Sequence, residues 1–471
     1  MKKLLRFKKY LVVVLCVLPC VTIYYYSQDD VIVKQLEKEN SLNNWESSSS
    51  IETAKHEFTR TVFGDDTRDN SRIDFIMDHD NTEYRSTENP RNVPRDTQSG
   101  ADSKEPEQTK KTVIKFRKPP HRVSQKGHID RSSKQGVQEK LIILTYMRSG
   151  STLTGDLYQQ NGGVFYMYEP LWYTEMLWEG KAKTKNVHFL DGSWYSITNT
   201  TEGRYERELQ ILRDVFSCNL MYLDYGTLKQ YHMFSSVSTF MYARCAYQFT
   251  DELHIEKCLQ ETVQECLTSP AIVTKIIRGS MRHVYDLMKN DPAVKVLHLL
   301  RDPRGSMKSQ YQVGMFKWPH LGESSYKHCQ RVLRDLELAK IIAVDFPGRL
   351  FSLRYEDLVQ YPVAATQQLY GFLHLTLSQE IKDYIWNITY AGNPDDCNIC
   401  TTRRNASATA HSWRRRLSFR SIALIQSQCA ELFSALGYRV FHDYGEQLNE
   451  NIPTKYDISS GEFQKETTAF F

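Results

Sequence analysis

Apolar and polar positions divide this chain into stretches of different character. An apolar run from Tyr10 to about Tyr26 follows Lys2, Lys3, Arg6, Lys8 and Lys9. Its length is near the lower limit for crossing a bilayer, so a cleaved signal peptide competes with a membrane anchor. Cleavage needs small residues at the exit, whereas this run ends in Tyr24, Tyr25 and Tyr26, which suit a membrane–water interface. The pattern predicts a signal-anchor helix over 10–26, with the basic tail 1–9 kept cytoplasmic. From 27 to 137 the chain is polar with little sustained periodicity, and reads as a stem whose apolar surface is too small to offset the entropy of ordering. Its Lys110–Lys134 part is rich in Lys, Arg and His. A solvated linker and a contact for an acidic glycan are both open there.

The pattern changes at Leu141. Leu141-Ile-Ile-Leu-Thr-Tyr146 has the composition of a short buried strand. It enters the turn Met147-Arg-Ser-Gly-Ser-Thr152 and then a helical pattern through Leu153 and Leu157. A second unit starts at Val294-Lys-Val-Leu-His-Leu-Leu300, turns at Arg301-Asp-Pro-Arg304 and continues into another helix. A third strand, Leu350-Phe-Ser-Leu-Arg354, precedes Tyr355-Glu-Asp-Leu358. Strands alternating with helices predict an α/β domain over 138–443 with a mainly parallel sheet. Residues 444–471 read as a polar tail.

Composition narrows the setting. The 471 residues are 41% hydrophobic and 25% charged, and the formal charge is only +4. So small an excess argues against a protein that coats nucleic acid. Cys16 and Cys20 lie in the apolar run. The other eight, Cys218, Cys245, Cys258, Cys266, Cys329, Cys397, Cys400 and Cys429, form an even set that reads as disulfides of unknown pairing in an oxidising compartment. Cys397 and Cys400 have a metal-ligand spacing, but no second such pair accompanies them, which favours a structural disulfide role. Sequons at Asn199, Asn387 and Asn405 agree with lumenal exposure.

Two turns carry chemistry. In Arg148-Ser-Gly-Ser-Thr152 a glycine turn between strand and helix aims backbone N–H groups at one spot, where the helix N-terminus adds positive potential. Ser149, Ser151 and Thr152 add hydroxyl groups, and Arg148 adds a forked cation. The loop suits a phosphate-like anion, yet it lacks the lysine of the nucleoside-triphosphate loop. At the second turn, Arg301 at a strand end and Ser309 eight residues on suit a second phosphate, since open α/β sheets bind ligands at their carboxyl edge. Asp302, Pro303 and Arg304 read as turn-shaping residues with local ion pairs. Two such sites imply a nucleoside phosphorylated at both ends.

These residues carry a family resemblance. Tyr146-Met147-Arg148-Ser149-Gly150-Ser151-Thr152 resembles the 5′-phosphosulfate loop of sulfotransferases that use PAPS, 3′-phosphoadenosine-5′-phosphosulfate. Arg301-Asp302-Pro303-Arg304-Gly305-Ser306-Met307-Lys308-Ser309 resembles their 3′-phosphate motif. The likeness continues in Val164-Phe-Tyr-Met-Tyr-Glu-Pro170, Leu353-Arg-Tyr-Glu-Asp-Leu358, Arg404-Asn-Ala-Ser407, Trp413-Arg414 and Leu436-Gly-Tyr438. Together, over roughly Lys140–Phe441, they resemble the galactose/N-acetylglucosamine/N-acetylgalactosamine 6-O-sulfotransferases of the Golgi. The family loop more often reads Trp-Arg-Ser-Gly-Ser-Ser-Phe, where this chain has Met147, Thr152 and Leu153, and the stretch from Trp172 to Thr250 has little fixed family pattern.

The resemblance implies a sulfotransferase fold and transfer of sulfonate from PAPS to a sugar 6-hydroxyl, with no metal. It also implies a glycan or proteoglycan acceptor, a lumenal catalytic domain on a single-pass type II Golgi membrane protein, and no nucleic-acid partner. Homodimerisation is left open. It makes Glu169 the catalytic base, against the plainer reading of a turn carboxylate paired with an arginine, and Arg148 the stabiliser of charge on the leaving phosphate. His298 reads as a packed core residue. Lys275 and Arg278 read as facing nucleotide, glycan or solvent, and Arg414, Arg415 and Arg416 as closing over the cofactor, meeting the acceptor, or forming a solvated helix face. A kinase is disfavoured by the missing lysine. A non-catalytic PAPS- or glycan-binding relative of the same fold is the alternative.

Overall fold

The computed structural model describes residues 122–123, 137–392 and 401–457. The segments 1–9 and 10–26, nearly all of the stem 27–137, Cys397 and Cys400, and the tail from 458 on lie outside the described residues. Among the described residues, no helix is long and apolar enough to cross a membrane.

Five strands form the main sheet: β1 (Glu139–Leu144), β2 (Val164–Tyr168), β5 (Ala271–Ile276), β6 (Val294–Leu300) and β7 (Leu350–Arg354), in the order β2-β5-β1-β6-β7. Every pairing among them is parallel. Two short strands, β3 (Asn186–His188) and β4 (Trp194–Ser196), pair antiparallel as a separate hairpin. Residues 141–144 of the central strand are all fully buried, because helices cover both faces of a parallel sheet and leave no solvated side. Alternation along the strand then sorts the side chains. Ile142 and Leu144 join Phe165, Met167, Ile272 and Val296 in a core shared with helices Thr201–Phe216, Glu252–Thr268 and Met281–Asn290. Leu141 and Ile143 join Tyr166, Val273, Leu297 and Leu299 in a second core, with helices Ser151–Gln159, Pro362–Phe372 and Gln379–Thr389.

A third core, with Tyr146, Leu300, Met307, Leu336, Trp413 and Phe433, includes residues of the long helix Leu321–Asp345 and of Phe419–Gln428. The Cys329–Cys429 disulfide, with a separation of 100 residues, joins those two parts of the chain. Closing a loop of that length removes unfolded-chain entropy of about 4–5 kcal/mol in the chain-entropy account. Cys218–Cys266 and Cys245–Cys258 staple the helical region between the hairpin and β5.

Strand order also locates a crevice. From β1 the chain passes to β2 on one side of the sheet, whereas from β6 it passes to β7 on the other. β1 and β6 are neighbours, so their outgoing connections diverge and leave a gap at the carboxyl ends, the usual ligand position of an open α/β sheet. Residues 444–457, at the start of the segment read as a tail, pack back onto the domain. Tyr438 bridges to Lys455, and buried Arg414 donates to the Gln447, Asn449 and Ile452 carbonyls.

Candidate active site

The loop leaving β1 is tightly specified. Ser149 N donates to Tyr146 O, and Thr154 N donates to Gly150 O, each at 3.1 Å. Gly150 caps the following helix with φ +89°, and a Cβ there would overlap the Tyr355 ring. Both backbone conformation and space therefore demand glycine. Arg148 has φ +65° and Glu169 φ +50°. A non-glycine residue in this region stores about 1–3 kcal/mol, and such outliers gather where function requires a set geometry. The first N–H groups of Ser151–Gln159 have no partner within the helix. The Ser149 hydroxyl is buried without a hydrogen-bond partner, an orphaned group that an anion at this loop can satisfy.

The second unit meets the first across the crevice. Arg148 Nε donates to Ser309 Oγ at 3.0 Å, Arg301 Nη1 donates to Arg148 O at 2.6 Å, and Gln310 Nε2 donates to Met147 O at 3.1 Å. Arg301 lies over the Tyr355 ring at 4.7 Å, with Nε 3.9 Å from buried Glu356. Lys308 Nζ donates to Ser412 Oγ at 3.0 Å. Burial, then the charges of Arg301 and Arg403, lowers the Arg148 pKa to about 10. Burial, then Arg416 and Arg301, lowers Lys308 to about 8. Two cations lowered first by burial and then by neighbouring positive charges mark a site that an anion stabilises.

Several other residues of the second motif are enclosed in the protein interior. Asp302, Pro303, Arg304 and Met307 are buried in the turn and core. Arg304 Nη2 pairs with Asp302 Oδ2 at 2.8 Å, and the guanidinium also donates to Gln426 Oε1, Arg439 O and Thr454 O. It packs against Trp413, Phe433 and Phe441. With its donors satisfied inside the protein, this arginine anchors the C-terminal segment, as the turn-shaping reading anticipated. Gly305 leaves room beside Arg301 and Trp413, where a Cβ would come within 3.2 Å of each. Ser306 Oγ is buried without a partner. The Tyr146 side chain also turns inward: its hydroxyl is 2.8 Å from His298 Nε2 and donates to Asp335 Oδ2 at 2.9 Å. His298 is a fully buried core residue, held near pKa 3 by burial.

Glu169 follows β2 on the other side of the loop. Its carboxylate accepts from Lys275 Nζ at 2.7 Å and from Arg278 Nη1 at 3.0 Å. Glu169 and Lys275 are about equally hidden, 1% and 2% exposed. Burial alone would raise the Glu169 pKa, but the Lys275 and Arg278 charges outweigh it and hold the group below its ordinary range. Lys275 lies 3.9 Å over the Tyr168 ring, and Tyr168 Oη is 3.5 Å from Thr152 Oγ1. The carboxylate is thereby linked to the anion loop through Lys275 and Tyr168.

Lys275 and Arg278 had open assignments from the sequence; Lys275 lies within β5 and Arg278 just past its end. A lysine inside the six-residue apolar segment Ala271–Ile276 was the available signal, since a buried lysine requires a partner. Arg403 carried no separable signal in a basic stretch, whereas Arg416 belongs to the run already read as a candidate for the cofactor or acceptor. Arg414 is used internally on backbone carbonyls, and Arg415 pairs with Glu450 at the surface. Among the described residues, no group of three or more His, Cys, Asp or Glu is placed to hold a metal.

The profile of the Sulfotransferase family matches residues 141–379. Carbohydrate sulfotransferase 1 of Danio rerio is 27% identical over 350 residues, covering 66% of this chain and 80% of its own. Carbohydrate sulfotransferase 5 of Homo sapiens is 26% identical over 357 residues, covering 67% and 82%. Among solved structures, a mouse sulfotransferase complexed with PAP aligns at TM-score 0.33 and 10% identity, over 64% of this chain and 86% of its own.

Proposed function

Because the chain belongs to the Sulfotransferase family, we propose that it transfers sulfonate from PAPS to the 6-hydroxyl of N-acetylglucosamine, galactose or N-acetylgalactosamine in a glycan. The observation that carries this reading is the Arg148–Ser309 contact at 3.0 Å, which joins two anion-binding turns at the divergence of β1 and β6. Relatives named carbohydrate sulfotransferases support the acceptor class.

In this reading Arg148, the Ser149, Ser151 and Thr152 hydroxyls and the helix N–H groups hold the 5′ end of the donor, and Arg301 and Ser309 hold its 3′-phosphate. The orphaned Ser149 hydroxyl fits an anionic ligand. The acceptor oxygen forms the new bond to sulfur as the sulfur–oxygen bond to the phosphate breaks, and that electron pair leaves with the phosphate. Arg148 stabilises the leaving charge. Glu169 takes the acceptor proton. It is held ionised and ready to accept one, after the acceptor hydroxyl displaces one of its bonds to Lys275 or Arg278. Residues 10–26 anchor the protein in the Golgi membrane with its catalytic part lumenal. The disulfides among the described residues suit that oxidising space.

The test is incubation with sulfur-labelled PAPS and a panel of desulfated glycans. Label in one glycan class, located by disaccharide analysis, establishes the reaction and the carbon. A protein that fails to bind PAPS overturns it.

A further inference from the structure

Three aromatic rings gather beside the Glu169 carboxylate, and only Tyr168 has a part in the chemistry above. Tyr168 ends β2. Trp172 opens the next helix, Trp172–Trp178, and His232 comes from the turn Tyr231–Ser235. The His232 ring centroid is 5.2 Å from that of Tyr168 and 5.4 Å from that of Trp172, edge-on to the indole at 90°. All three residues are half-buried. His232 is also close enough for its charge to act on Glu169.

The cluster is held firmly. Met233, next to His232, is buried in the core, its N–H donates to Gln230 O, and its carbonyl accepts from Thr239 Oγ1 at 2.6 Å. Trp172 N donates to Glu169 O at 3.2 Å, which ties the indole's backbone to the carboxylate's own turn. A preset wall of this kind loses little entropy when a ligand settles on it.

Position distinguishes donor from acceptor. Arg301, Lys308 and Ser309 come from the β6 side of the anion loop, whereas Tyr168, Trp172 and His232 come from the β2 side, at the opposite edge of the sheet. With the donor's 3′-phosphate on the β6 side, the β2 side that carries Glu169 is the one left for the acceptor. A hexopyranose presents a face of C–H groups rimmed by hydroxyls. Flat rings with polar tips complement both features.

We propose that Trp172 and His232 form the acceptor-sugar subsite, with the indole against the sugar's C–H face and the imidazole hydrogen-bonding a hydroxyl on its rim. This rests on the glycan-sulfating reading and assigns acceptor recognition to a stretch, 172–250, that has little fixed family pattern. It also explains why half-buried aromatic residues adjoin a fully buried ion pair.

The experiment compares the full-length protein with Trp172→Ala, Trp172→Phe, His232→Ala and His232→Asn, using an oligo-N-acetyllactosamine acceptor and labelled PAPS. Calorimetric binding of the oligosaccharide and of PAP is measured in parallel. Loss of one ring stack corresponds to a rise in acceptor KM of about tenfold for Trp172→Ala, with kcat and PAP affinity retained. Trp172→Phe and His232→Asn, which keep a flat ring and a hydrogen-bonding tip, should recover most of it and guard against a misfolded alanine variant. Unchanged acceptor KM in both alanine variants, with active wild type, overturns the subsite alone. Weakened PAP binding in place of weakened glycan binding also overturns it, by assigning the rings to the donor. A wild type that binds PAP but neither binds nor sulfates the oligosaccharide overturns the subsite together with that acceptor.

Discussion

Glu169→Gln separates the ion-pair role that the structure shows for this carboxylate from its proposed role as the base. In the wild type, Glu169 and Lys275 are almost completely hidden, and their oxygen and nitrogen are 2.7 Å apart. The amide leaves the Lys275 ammonium buried with no carboxylate bridge and removes an ionic partner of Arg278. Breaking a buried pair from one side costs about 3–5 kcal/mol, because the remaining charge is uncompensated. At 1.4 kcal/mol per factor of ten, the folding constant should fall by about two to three and a half orders of magnitude. Urea unfolding followed by tryptophan fluorescence measures this. The double variant Glu169→Leu/Lys275→Met should regain much of the loss, since no lone charge remains. The pH dependence has a definite sign. The fold lowers the Glu169 pKa below its ordinary 4.5, so that contribution is full above 4.5 and fades as pH falls through the folded value. It raises Lys275 above 10.5, so that contribution is full below 10.5 and fades as pH rises through the folded value. The bridge should therefore stabilise fully across the neutral range. A Glu169→Gln protein within about 1 kcal/mol of wild type would refute the structural role. Near-normal turnover in that variant would remove the base assignment.

The remaining predictions concern the anion loops. Arg148→Ala and Arg301→Ala should each weaken PAP binding by about ten- to a hundredfold, the loss of one charge-assisted hydrogen bond; calorimetry showing an unchanged Kd for both would contradict the crevice. PAP affinity should fall as pH rises through about 8, where Lys308 loses its proton. Lys308→Arg should flatten that profile, and an equally steep profile in the variant would exclude Lys308 as its source. Gly150→Ala should cost about 1–3 kcal/mol from positive φ alone, with more from overlap with Tyr355, and urea unfolding of equal stability would show that the turn can relax.

Much of the scaffold was legible because the signals were local. Strands Val294–Leu300 and Leu350–Arg354 coincide with the apolar runs read from the sequence, and the first run is offset only at its ends. A fully buried parallel strand needs continuous apolar residues, and short runs between turn residues reveal that directly. Arg148 and Ser309 were legible for a similar reason: each lies just past a strand, on a turn or the helix that follows it. Arg304 shows where motif reading stops. Motif spacing places it beside Arg301, but only packing shows that Asp302, Gln426 and two distant carbonyls use its donors.

By itself, the sequence determined the alternating α/β pattern, the two turns proposed to hold anions and a set of cysteines suited to an oxidising space. These follow from residue type and short-range spacing. Tertiary structure alone decided the strand order that makes β1 and β6 neighbours, the pairing of the six described cysteines, and the union of Glu169 with Lys275 across 106 residues. It also brought His232 to Trp172. Such meetings depend on which faces pack together, and that is settled by burial of the whole core rather than by any local run of residues.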